Sequence, residues 1–143
     1  RLTTRWQLQA SPQSSASLSL TARGNQSGST DAERLRAALV NVIVNARHAV
    51  EGQQTQRVTL TTVRDGSAVM ITVADTGVGI PADELGLLFT RFFRSSIAQR
   101  QAIPGSGLGL SIIQGVLDRS GGRISVHSQV GEGSVFSVWW PAA

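Results

Sequence analysis

The chain has 143 residues, 41% hydrophobic and 15% charged, with a net charge of +4. That is enough chain for one domain with a real core, and no apolar run approaches the roughly 20 residues a membrane span requires. There is no cysteine, which removes disulfides, thiolate metal sites and cysteine nucleophiles, and all 13 basic side chains are arginine, which removes the lysine of P-loops and of eukaryotic-type protein kinases.

In chain order, "TTRWQLQ" and "ASLSLTA" read as two short strands on either side of a Ser/Pro/Gln-rich turn, within the N-terminal region 1–24. "GNQSGST" reads as a loop. "TDAE" then forms a capping box, Thr30 as N-cap with Glu33 three residues on, and predicts a helix from Asp31 to about Val50 that stops near Gly52. Next, "RVTLTTVR" and "AVMITVAD" are β-branched runs joined by Asp65-Gly66, a tight-hairpin signal. "TGVGIP" breaks the pattern and leads into a short helix, "PADELGLLFTRFF", with Pro81 in its first turn. The polar loop "RSSIAQRQAIPGSG" precedes a second long helix, "LGLSIIQGVLDRSGG", closed by glycines, and "RISVHS" with "SVFSVWW" makes a final hairpin. Hairpin links interleaved with helices predict an α+β fold: a two-layer sandwich, with a mixed, mostly antiparallel sheet covered on one face by about three helices.

The stretch "LVNVIVNARHAV" raises a chemical question. At about 100 degrees per residue, Leu35, Leu39, Val42, Ile43, Ala46, Ala49 and Val50 share a core-facing arc. Asn41, Asn45 and His48 share the opposite side, flanked by Ala37, Ala38, Val40 and Val44, which reads as a polar seam in a largely buried helix. Unpartnered buried amides cost about 1–3 kcal/mol each, so either an internal hydrogen-bond network or a ligand must satisfy them. The helix alone leaves both open.

Downstream, Asp75 ends a strand and is followed by Gly77 and Gly79 in "ADTGVGIP", a backbone suited to close approach of a flat ligand, or to an ordinary Asp-Gly turn. Gly105, Gly107 and Gly109 in "PGSGLGLS" stand at a helix start, where freed N–H groups suit phosphate. The spacing is not that of the dinucleotide fingerprint. "GEGSVF", with Gly131 and Gly133, enters the last strand and would alone be a hairpin turn.

In conjunction these motifs resemble the catalytic ATP-binding domain of bacterial two-component sensor histidine kinases, a branch of the gyrase/histidine-kinase ATPase superfamily with the Bergerat fold. The resemblance covers about Asp31 to Trp140. It implies that Asn45 holds Mg²⁺ against the phosphates, with Asn41 supporting the same seam. Asp75 would read the adenine amino group in a pocket shaped by Gly77, Gly79 and Ile80. "LFTRFFR" resembles the family's F box, with Phe93 anchoring the lid and Arg94 reaching the terminal phosphate. Gly105, Gly107, Leu108, Gly109 and Leu110 match the lid glycines and the helix start, and Ser134 the hydroxyl of the closing loop. The resemblance makes Ser95 to Pro104 a mobile ATP lid within about residues 94–106. One departure stands out: where many members carry Lys-Tyr after the Mg-binding Asn, this chain has His48 and Ala49. His48 thus stands as either a phosphate contact or a structural residue.

Gyrase-type ATPases, which this domain also resembles, carry a glutamate four residues before the Mg-binding Asn as general base on water. Here that position is Asn41, which cannot take a proton. Such a base is worth 10²–10⁴-fold in general, so a self-sufficient ATPase is disfavoured, as is the Glu-bearing serine-kinase type. A third reading, a nucleotide-binding regulatory module without transfer activity, is opposed by Asn45, Asp75 and Arg94 together. Neither His48 nor His127 lies in a phosphoacceptor helix of the family's kind. The expected partners are therefore a separate dimerisation domain bearing the histidine and, through the full-length kinase, a response regulator. The scattered arginines exclude a basic nucleic-acid stripe, so no nucleic-acid partner and no membrane contact by this chain are expected. The chain opens on Arg1 and is expected to be a single-domain fragment, without its phosphoacceptor domain. The resemblance sets it in the cytoplasm, whether or not its parent is membrane-anchored.

Overall fold

Two periodicities organise the chain, and a computed structural model shows where each is satisfied. The structure describes residues 2–9, 29–65, 68–100 and 109–141; the expected strand "ASLSLTA" lies outside them. The described elements are β1 (Leu2–Gln9), α1 (Ser29–Val50), β2 (Arg57–Asp65), β3 (Ala68–Asp75), a 3₁₀ helix (Ala82–Leu87), α2 (Ser96–Arg100), α3 (Gly109–Ser120), β4 (Arg123–Gln129) and β5 (Gly133–Pro141).

The five strands form one sheet in the order β1-β2-β3-β5-β4, and every described pairing is antiparallel. Register sorts side chains by face. Leu60, Val73, Phe136 and Val126 form one cross-strand row, and Thr62, Ile71, Val138 and Ile124 the next. Leu60, Val73, Phe136, Ile71 and Val138 are buried together with Ala38, Leu39, Val42, Ala46 and Val50 of α1 and Ile113 and Leu117 of α3. This is the half-buried sheet that period-two β-branched runs encode, with the α1–α3 pair laid over one face. The expected α+β sandwich is what the chain adopts.

Four expectations need correction. Helix α1 begins at Ser29, so Thr30 lies within its first turn rather than before it, a boundary shift of the size that fraying ends commonly show. The helix is also less buried than its composition suggested. Ala37 is exposed, as are Val40 and Val44, at 45% and 40%, because the helix packs on the sheet and α3 but leaves a third side open.

"PADELGLLFTRFF" does not form an α-helix. Pro81 stands just before a 3₁₀ stretch that ends at Leu87, and turns follow. Gly86 weakens any helix there, and Phe92 adopts a left-handed φ of 64°. That reversal leaves Phe92 70% exposed while Phe89 and Phe93 pack against the core. Conversely, part of the expected lid loop is helical: α2 occupies Ser96–Arg100.

Candidate functional site

The cavity lies between α1, the turn after β3, the Phe93–Ala98 segment and the start of α3, with Ser134 and Phe136 of β5 at its floor; its volume is ≈ 300 Å³. Its wall gathers, from separate parts of the chain, Asn41, Asn45, His48, Asp75, Gly79, Ile80, Phe93, Arg94, Gly109, Leu110 and Ser134. Three expected residues, Gly105, Gly107 and Leu108, lie outside the described residues.

The seam on α1 opens into this cavity. Among the described residues the side chains of Asn41, Asn45 and His48 make no hydrogen bond, and no buried side-chain nitrogen or oxygen is left unsatisfied. Their polar atoms therefore face open cavity. Among the described residues no internal network satisfies these amides, and the α1 seam forms a polar strip of the cavity wall. Gly109 sits close by: a Cβ there would lie 3.6 Å from that of Asn41, which brings the α3 N-terminus, with its partial positive charge, beside the amides.

Asp75 forms the opposite end. It is 7% exposed at the end of β3, where Oδ1 accepts the Gly77 N–H at 2.9 Å and the Ser134 N–H at 3.3 Å. Among the described residues no bond reaches Oδ2, on a side chain that lines the cavity. Burial disfavours the charged form more than these two donors favour it, and the pKa is pushed up from the ordinary 3.8 to about 6. At neutral pH the group is ionised yet poorly solvated, so its free oxygen is a strong acceptor for any N–H donor entering the cavity.

Gly77 is not part of the wall. Its N–H serves Asp75, and a Cβ on it would lie 2.5 Å from the carbonyl oxygen of Ala49, so the glycine lets the turn pack onto α1. Gly79 does line the cavity, at φ 75°, and a Cβ there would collide with the Gln129 backbone. The adjoining Val78 N–H donates to Ala49 O at 3.1 Å, and Gly131 N–H to Val78 O at 3.0 Å. This turn is thus clamped between α1 and the β4–β5 hairpin.

The sequence reading missed two groups of residues. Val44, Ala46, Ala49, Val78, Leu88 and Phe136 supply apolar wall, joined by Ser95 and Ala98 from within the expected lid segment. Their types carry no signal beyond "core". The second is Ser128, whose Oγ accepts the Ile80 N–H at 2.8 Å, donates to Gly133 O at 3.0 Å and meets Ser134 Oγ at 2.8 Å. A signal existed: Ile124, Val126 and Ser128 alternate along one face of β4, so a serine holds a core-facing position.

The 3₁₀ helix and α2 are tied together. Glu84 accepts the Ser96 N–H at 3.0 Å on Oε1 and the Ser96 hydroxyl at 3.2 Å on Oε2. Ser95 caps α2 through the Ala98 N–H at 3.1 Å, and Ile97 is buried beneath it.

An apolar slot with one buried acceptor at one end and, at the other, amides unpartnered among the described residues, a cation and a helix N-terminus suits an elongated ligand with a flat polar ring and an anionic tail. Known proteins agree with that class. Residues 30–143 match the family model described as histidine kinase-, DNA gyrase B- and HSP90-like ATPase, and the chain belongs to this family. Within it, sensor histidine kinases are among the proteins similar to this chain. The circadian input-output histidine kinase CikA of Synechococcus elongatus is 40% identical over 111 residues, and the sensor histidine kinase ZraS of Escherichia coli is 38% identical over 111. Each alignment covers 78% of this chain but only 14% and 22% of the respective relative, so the chain spans a minor part of these longer proteins. Among solved structures, the mycobacterial sensor histidine kinase MprB superposes with a TM-score of 0.64 at 30% identity, covering 76% of this chain and 72% of that one. Full-length ShkA, solved in complex with AMPPNP, gives a TM-score of 0.60 at 32% identity, covering 77% of this chain and 22% of that one. The chain is thus the ATPase-family domain characteristic of sensor histidine kinases. No helix among its described residues is long and apolar enough to cross a membrane.

Proposed function

We propose that this domain binds Mg-ATP and transfers the γ-phosphoryl group to a histidine on a separate dimerisation domain of a two-component sensor kinase, from which it passes to a response regulator. The observation that carries the reading is the polarity of the cavity: one buried carboxylate at one end, and two amides without a partner among the described residues, with Arg94 and the α3 N-terminus, at the other. In this reading the adenine amino group donates to Asp75 Oδ2 and the ring lies against Val78, Ile80 and Phe136. The triphosphate runs toward Asn41, Asn45, His48, Arg94 and the N–H groups that open α3.

The residues fit a magnesium ion. Among the described residues Asn45 offers an amide oxygen with no competing donor, and no cluster of three acidic, histidine or cysteine side chains could cage a metal alone. An ion held by one amide and the substrate's own phosphates matches the habit of Mg²⁺, whose role there is to offset charge on the phosphate oxygens.

Asp75 is the only carboxylate in the described wall, and it is occupied at the adenine end. With Asn41 in place of a carboxylate, no acid side chain of the described wall is placed to activate water. Phosphoryl transfer depends mainly on alignment and charge stabilisation, so a good nucleophile needs little more than a held γ-phosphate. An imidazole nitrogen of the acceptor forms the new N–P bond as the bond from phosphorus to the bridging oxygen breaks, and ADP leaves with that electron pair. The acceptor is not in this chain's own fold: His127 is exposed on the sheet face away from the helices, and His48 lies in the cavity wall.

The test mixes the domain with labelled ATP, Mg²⁺ and a dimerisation domain carrying its histidine. Acid-labile label on that partner is the expected outcome. Rapid phosphate release by the domain alone would instead make it a self-sufficient ATPase.

A further inference from the structure

The register Asp75↔Ser134↔Ser128 runs across three strands, and all three side chains share the helix-covered face. Two of them, Asp75 and Ser134, line the cavity; Ser128 stands behind. The hydroxyl of Ser128 has one proton and two lone pairs. Gly133 O can only accept, and it lies 3.0 Å from Ser128 Oγ, so the proton goes there. Were it turned elsewhere, two acceptors would face each other at that distance. The Ile80 N–H takes one lone pair at 2.8 Å. At the remaining contact, 2.8 Å from Ser134 Oγ, Ser134 must therefore be the donor. This spends the only hydroxyl proton of Ser134 away from the cavity, and what Ser134 turns toward a ligand is lone pairs.

We propose that Ser128 is a specificity-determining positioning residue: by taking the Ser134 proton it fixes Ser134 Oγ as an acceptor in the same stretch of cavity wall as Asp75, so the pocket presents two acceptors that favour a 6-amino purine and reject a 6-oxo one. The proposal rests on the reading of this cavity as a purine-nucleotide site. A 6-amino group brings two N–H donors to these acceptors, whereas a 6-oxo group meets them with its own lone pairs. Leaving buried polar groups facing an unsuitable partner is what gives such sites their discrimination. Without the Ser128 hydroxyl, the Ser134 O–H is free to rotate and donate to an oxo group. Ser128 touches no ligand itself, and Ile80 shares in its effect, since the same oxygen holds the Ile80 N–H.

Equilibrium binding of ATP and of ITP, which differs at the purine 6-position, is measured for the wild-type chain, Ser128→Ala and Ser128→Thr. The wild type is expected to prefer ATP. Ser128→Ala is expected to lower that preference about 3- to 10-fold, the range one neutral hydrogen bond commands, chiefly by strengthening ITP relative to ATP. Ser128→Thr retains the hydroxyl and is expected to retain the preference. Ser128→Cys keeps the bulk of serine with a poor acceptor, and gives the same reading should the alanine variant not fold. A merely structural role lowers both affinities alike and leaves their ratio unchanged; that result overturns the proposal, as does a ratio lost equally in Ser128→Thr. A wild type with no preference for ATP over ITP overturns instead the assignment of the cavity to adenine.

Discussion

Asp75 pays for its position in stability. Its folded-state pKa stands at about 6 against 3.8, because the cavity end of β3 strips it of water. A carboxylate whose folded pKa is raised favours folding fully below its unfolded value, and that contribution is lost as pH rises through about 6. The difference of about two units corresponds to at most about 3 kcal/mol. In Asp75→Asn, the amide oxygen can still accept from Gly77 and Ser134 while the charge is gone. The variant is expected to be more stable than the wild type at pH 7.5 and to lose the wild-type decline between about pH 4 and pH 7, as read by urea denaturation without nucleotide. It should also bind ATP more weakly, having lost the acceptor's charge. An identical pH slope in both proteins would show that Asp75 is not the group whose burial is being felt. This residue was legible in the sequence because a carboxylate between a β-branched strand and two glycines has few reasons to be there. Ser128 was legible only as a core-facing serine, by its alternation with Ile124 and Val126; its role emerges only when strand register sets it opposite Ser134.

Elements divide in the same way according to where their stability comes from. The helices α1 and α3 and strands β2 to β5 were legible, since each carries its own period and each buries a continuous apolar face. The segment from Pro81 to Arg100 was not. A five-residue helix such as α2 is far below the length at which helices hold themselves together in water. It exists through tertiary contacts that no local pattern announces: the Ser95 cap, Ile97 in its slot, and Glu84 bonded twice to Ser96. Glu84→Ala removes both of the latter bonds from a half-buried site, a local loss of about 1–2 kcal/mol. Amide exchange at Ala98 to Arg100 is expected to quicken roughly tenfold on that account, with α1 and the sheet unchanged. Unchanged exchange there would mean that Ile97 alone secures the helix. Because Ser95 and Ala98 line the cavity, the same variant loosens one wall of the site without touching Asn45 or Asp75.

At the scale of the molecule, the cavity joins parts that the sheet alone does not: α1, the turn after β3, the α2 segment, the start of α3 and the end of β5. A ligand spanning it acts as a tie between elements up to a hundred residues apart in sequence, and its binding energy adds to folding stability by mass action. At a concentration a hundred times its dissociation constant, that gain is about 2.7 kcal/mol, which for a domain of this size raises the melting temperature by roughly 5–10 °C. The proposed division of the cavity makes a sharper demand. With ATP present, adding Mg²⁺ should produce a further rise that chelation reverses, because the ion couples the phosphates to Asn45 on α1. In Asn45→Ala the rise with ATP alone should persist, since Asp75, the apolar slot and Arg94 remain, while the increment due to Mg²⁺ should disappear. A full Mg²⁺ increment in that variant would take the metal away from Asn45 and leave the amide seam of α1 as a phosphate contact only.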